Sequence, residues 1–175
     1  MMHTHAWRTC GRAVGGARRG IKIEKRIAEL GYTLPPNPPE PRGSYMTYLR
    51  HGNMVYLSGP LPQAVDGTLT KGRLGENLTV EEGQAAARLA SLQMMASLKH
   101  ACGDLDKVKK VIKLVGFVSS TNDFTSQATV MNGCSELFGE VFGLEIGRHS
   151  RSALGVNVLP LGIAVEIEGI VEVED

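Results

Sequence analysis

The sequence predicts an α+β protein, a mixed β-sheet carrying two long helices on one face. Two segments, residues 79–102 and 123–143, carry apolar residues at helical spacing. Short runs rich in β-branched and aromatic residues surround them. The order in which these alternate is hairpin, helix, strand, helix, strand, strand, and it fits one layer of sheet covered by one layer of helix.

In chain order, Ile23, Ile27 and Leu30 recur at helical spacing and Gly31 follows as a stop, which predicts a short helix over 21–31. "LPPNPPEPRG" then places five prolines in ten residues. It cannot form a hydrogen-bonded element and reads as an extended strap. "YMTYLR" and "MVYLSG", joined by "HGN", predict a hairpin. Asp66-Gly67 marks a turn before a further strand candidate, "TLTKG". Thr79 with Glu82 three residues on forms a capping box, so a helix runs over 79–102 with Ala85, Leu89, Leu92 and Ala96 as its apolar stripe, ending near Gly103. "KKVIKLVGFVSS" predicts a central strand. Asp123 is expected to open the second long helix, with Val130, Cys134, Leu137, Phe138 and Val141 buried and Gly143 at its end. Strands over 151–158 and 163–173 complete the chain.

Composition narrows the function. With 19 Lys+Arg against 18 Asp+Glu, the formal charge of +1 demands no nucleic acid or anionic membrane. Aromatics are 5% of residues, too few for base-stacking platforms, so a nucleic-acid partner is not expected. Cys10, Cys102 and Cys134 form no CxxC pair, which argues against a disulfide scaffold and suits a reducing compartment. No apolar run approaches the roughly 18 residues of a membrane-spanning helix, and a soluble protein is expected. Residues 1–20 carry Arg8, Arg12, Arg18 and Arg19 with no acidic residue before Glu24; they read equally as a transit peptide or a basic tail, giving a cytoplasmic or mitochondrial location.

Alternation along the last two strands suggests where the chemistry lies. In 163–173, Ile163, Val165, Ile167, Val171 and Val173 share one side and Glu166, Glu168 and Glu172 the other. In 151–158, Ser152, Leu154, Val156 and Val158 oppose Arg151, Ala153, Gly155 and Asn157. If the larger apolar sets face the helices, Arg151 shares the helix-free face with the glutamates, where a partner subunit must pack.

The residues "HGNMVYLSG", "KLVGFVSSTNDF", "VMNGCSELF" and "RSALGVNVLP" followed by "VEIEGIVEV" resemble the RidA family, also called YjgF/YER057c/UK114. The resemblance covers about residues 43–173, leaving 1–20 as tail and 21–42 as helix and strap before a domain over 43–175. It implies a chorismate-mutase-like fold assembled as a homotrimer, the sheets forming a central barrel and the clefts lying between subunits. It also implies hydrolysis of reactive 2-imino or enamine acids to 2-keto acids and ammonia, with no metal or organic cofactor.

What the resemblance implies for single residues agrees with their chemistry. Arg151 would hold a substrate carboxylate, a task suited to a permanently charged, fork-shaped donor. Glu166 matches the carboxylate that positions or activates water. Tyr45, Gly59, Asn132 and Ala153 would line the cleft. Arg151 paired with Glu166 or Glu168 across an interface is the structural alternative. Ser152 is expected on the helix side and no Ser-His-Asp set is assigned. Pro60 stands where many members carry glutamine, and removes a backbone donor. Two other functions stay open: an endoribonuclease or translation inhibitor, an older label on relatives, and a non-catalytic trimeric metabolite binder or holdase.

Overall fold

A computed structural model describes residues 22–175; the arginine-rich segment and Cys10 lie outside the described residues. Eight regular elements follow in order: α1 (Ile23–Glu29), β1 (Tyr48–His51), β2 (Met54–Leu57), α2 (Val80–Cys102), β3 (Val108–Ser119), α3 (Gln127–Gly147), β4 (Ser150–Val156) and β5 (Val165–Val173). They form one five-stranded sheet in the order β1-β2-β5-β3-β4. Only β3 and β4 run parallel, because α3 links them as a crossover; the other neighbours are antiparallel. The predicted α+β class with a mixed sheet and helices on one face is what the chain adopts.

Local sequence signals account for most of these elements. Gly52 at φ 59° closes the β1-β2 hairpin with His51 opposite Met54. The capping box forms as expected: Thr79 Oγ1 accepts from Glu82 N, and Glu82 returns a carboxylate to Thr79 N. Gly103 at φ 79° ends α2 in the left-handed conformation. The strap, from Leu34 to Gly43, holds no regular element.

Four expectations need correction. The second long helix starts at Gln127, with Ser126 rather than Asp123 before it. Asp123 instead belongs to a preceding turn, where Phe124 N donates to the Thr121 carbonyl. The same helix passes Gly143, which is non-helical at φ 76° and ψ 160°, and resumes to Gly147. Residues 68–72 form no strand, only single bridges from Leu69 to Gln63 and from Lys71 to Ile163. Finally, α2 leaves Ala85 exposed, while Gly83, Ala86, Ala87, Ala90, Met94 and Leu98 are buried. Small residues face inward there because α3 crosses closely: a Cβ on Gly133 would lie 2.2 Å from the Gln84 carbonyl oxygen.

The core lies between the helices and one sheet face, where Val55, Leu114, Val118, Val165, Ile167 and Val171 meet Met94, Leu98, Met131 and Phe138. Two register shifts between β3 and β5 let Val108, Val111 and Leu114 all face inward at a spacing of three. The other sheet face has no helix. It presents Leu49, Tyr56, Val115, Phe117, Leu154 and Ile170 with Lys113, Glu166, Glu168 and Glu172, and Leu49 and Leu154 are 55% and 48% exposed.

Candidate active site

Pairing register decides which face each strand residue occupies. Leu114, Gly116 and Val118 are buried on the helix side, and β4 sets Arg151, Ala153 and Gly155 opposite them. Arg151 therefore lies on the same side as the helices, while Ser152, Leu154 and Val156 share the helix-free face with Glu166 and Glu168. This reverses the expectation for the strand, including the placement of Ser152. Alternation identifies two sides but not the inner one. The inner side here takes small residues because α3 lies close: a Cβ on Gly155 would stand 2.7 Å from Gln127 Nε2, and one on Gly116 2.2 Å from Met131 Sδ.

From edge strand β4, the Arg151 guanidinium reaches the first turns of α3. Its Nη1 donates to Asn132 Oδ1 at 3.1 Å and to Ser135 Oγ at 2.8 Å, and Nη2 donates to the Ala128 carbonyl at 3.0 Å. Three of five donors are thus used, leaving one on Nε and one on Nη2. None of the ion pairs among the described residues includes Arg151. The alternative of an Arg151 pair with Glu166 or Glu168 does not occur within the protomer, because the sheet separates them. A cation fixed by neutral acceptors keeps its full charge and has donors to spare for an anion.

Glu166 sits in a second group. It packs against Gly59 so closely that a Cβ there would come within 2.4 Å of Glu166 Cγ. Gly59 and Tyr45 in turn line a cavity of about 30 Å³, together with Pro39, Glu40, Arg42 and Ser58. Burial, reinforced by the neighbouring Glu168 charge, pushes the Glu166 carboxyl above its ordinary 4.5. A carboxyl raised in this way exchanges protons nearer neutrality, as general acid-base work requires. The proline strap, outside the sheet, supplies one wall of this cavity.

The six residues singled out from the sequence thus fall into two groups: Arg151, Asn132 and Ala153 at the β4-α3 edge, and Tyr45, Gly59 and Glu166 at the strap, β2 and β5. The structure brings Asn132 onto Arg151 and Gly59 onto Glu166, but does not join the groups in one protomer. Sequence reasoning missed Ser135 and His149. Ser135 Oγ lies 3.0 Å from His149 Nε2, and His149 Nδ1 lies 2.7 Å from the Gly147 carbonyl. The signal was available: Asn132 and Ser135 are three residues apart on one helical face.

Comparison with known proteins places this geometry. A family model described as "YjgF/chorismate_mutase-like, putative endoribonuclease" matches residues 24–171, a span that takes in α1 and the strap. Protein TCP17 of Trypanosoma cruzi is 44% identical over 154 residues, covering 88% of this chain and 96% of that protein. The 2-iminobutanoate/2-iminopropanoate deaminase of Dermatophagoides farinae is 33% identical over 142 residues, covering 79% and 93%. The crystal structure of Atu1372 from Agrobacterium tumefaciens, a protein of unknown function, superposes with a TM-score of 0.79 at 42% identity, covering 87% of this chain and 94% of that one.

Proposed function

The chain belongs to the YjgF/chorismate-mutase-like family, and from that premise we propose that it hydrolyses small 2-imino acids to 2-keto acids and ammonia. The observation that carries this reading is Arg151, a guanidinium tethered by three hydrogen bonds to α3 with no carboxylate among the described residues in ion-pair range. Its remaining donors suit the carboxylate of an imino acid. The similarity to a deaminase over most of both chains supports the same class of reaction.

The two groups serve one substrate when copies assemble. The helix-free face, with its exposed aliphatic residues, packs inward in a homotrimer, and Arg151, Asn132 and Ala153 of one copy border Tyr45, Gly59 and Glu166 of the next. Arg151 holds the carboxylate, and Asn132 and Ser135 hold Arg151. Water adds to the C=N carbon, and Glu166 accepts a proton from that water and returns it to nitrogen. The carbinolamine so formed loses ammonia as its hydroxyl becomes the keto oxygen. Because the imine carbon is already electrophilic, orientation and charge placement suffice to accelerate the step.

The test uses the purified full chain with 2-aminoacrylate generated in place by a dehydratase, following ammonia and pyruvate. Faster release than in buffer is expected, with Arg151→Ala abolishing it. No acceleration across several imino acids overturns the proposal. Tight keto-acid binding without turnover assigns the non-catalytic binder instead.

A further inference from the structure

The loop between α3 and β4 carries a histidine whose ring is fixed at both nitrogens. The Gly147 carbonyl, 2.7 Å from His149 Nδ1, can only accept, so Nδ1 bears the proton. In the neutral ring Nε2 is then a bare acceptor, and the Ser135 hydroxyl 3.0 Å away donates to it. The serine oxygen in turn accepts from Arg151 Nη1 at 2.8 Å. The hydrogen bonds therefore run in one direction, from Arg151 to Ser135 to His149 to the Gly147 carbonyl.

The surroundings keep the ring neutral. Burial pushes the His149 pKa below its ordinary 6.5, and the Arg151 and Lys110 charges push the same way against the Gly147 bond. Lys110 comes from β3 and Arg151 from β4. From α3 the ring meets the Ser135 hydroxyl, the Gly147 carbonyl and the Phe138 ring, the last at 6.2 Å between centroids and 73°.

We propose that His149 is a positioning residue for the carboxylate grip of Arg151: by accepting the Ser135 hydroxyl hydrogen bond, it turns the serine lone pair toward the guanidinium and holds that group in one orientation. The consequence for turnover rests on the deaminase reading above; the consequence for the guanidinium does not. A serine bonded to histidine can also be a nucleophile, but Ser135 is a poor one. A guanidinium draws charge from its oxygen, and the backbone N–H groups around it are spent in the interior of α3, which leaves none to stabilise an oxyanion.

Two variants test the chain of bonds. His149→Phe keeps a ring beside Phe138 and removes the acceptor, whereas His149→Gln offers an amide oxygen near the position of Nε2. Nitrogen-15 NMR on the wild type is expected to show the Nδ1–H tautomer of His149 and slowed rotation of the Arg151 guanidinium. His149→Phe should average the guanidinium signals and weaken pyruvate binding about tenfold, the scale of one hydrogen bond, with kcat little changed. His149→Gln should restore both, with thermal midpoints confirming that each variant folds. An Nε2–H tautomer, or a His149→Phe protein with unchanged guanidinium signals, overturns the relay whether or not the wild type is active. An inactive wild type with the relay intact overturns only the deaminase reading.

Discussion

At the scale of single residues, two of the ionisable groups displaced upward, Glu166 and Cys134, have different consequences. Glu166 is pushed above 4.5 by burial and by Glu168. Between 4.5 and its raised value the folded chain binds more protons than the unfolded one, so Glu166 lowers stability progressively as pH rises through that window. Glu166→Gln removes the effect. The urea midpoint of the variant, relative to wild type, should therefore rise between pH 4.5 and pH 7; an equal difference at both pH values contradicts the placement of Glu166. Cys134 is fully buried and its thiol is pushed up to about 12. At pH 8 it holds almost no thiolate, and iodoacetamide should leave the Cys134 peptide unmodified in the native chain and alkylate it in urea. Arg151, Glu166 and Asn132 were readable as candidates from sequence, because they lie in motifs. The contacts of Arg151 were not, since they depend on which strand face α3 covers.

At the scale of elements, helix starts and turns were legible where side chains act locally. The Thr79-Glu82 pair and Gly103 delimit α2 without help from the rest of the fold. Loss of the cap in Thr79→Ala should cost about 1 kcal/mol, measurable by chemical denaturation. Asp123 misled because an Asp can serve a turn as readily as a cap. Leu92 and Ala96 of the expected α2 stripe are buried, but Ala85 misled for a different reason: helix-on-helix approach, rather than side-chain size, chose the inner face near the start of the helix. Gly133 lies at that crossing, where a methyl group would meet the Gln84 backbone. Alanine is the better helix former by about 1 kcal/mol, yet Gly133→Ala should destabilise the chain by about 1–3 kcal/mol as the helices are forced apart. A stabilised Gly133→Ala protein would show that α2 and α3 do not cross this closely.

At the scale of the whole molecule, β4 explains both what the sequence concealed and how the site can be completed. Leu154 and Val156 are the larger apolar residues of the strand, yet they occupy the uncovered face beside Phe117, Val115 and Glu166. A sheet face of this composition is inward-facing only in an assembly, so periodicity within one chain pointed to the wrong layer. The same geometry sets Arg151 and Glu166 on opposite faces of their own sheet, and a substrate touching both must lie between copies. This predicts complementation. Arg151→Ala and Glu166→Gln proteins should each be inactive, but subunits mixed in equal amounts under reversible denaturation should recover about one quarter of wild-type activity, because in the proposed assembly each site draws the two residues from different copies with independent chance. Had one copy supplied both residues, every site would carry one lesion and mixing would recover nothing. Leu154→Glu, which places another charge on the helix-free face, should shift the chain toward monomer in sedimentation and abolish activity with Arg151 and Glu166 both intact.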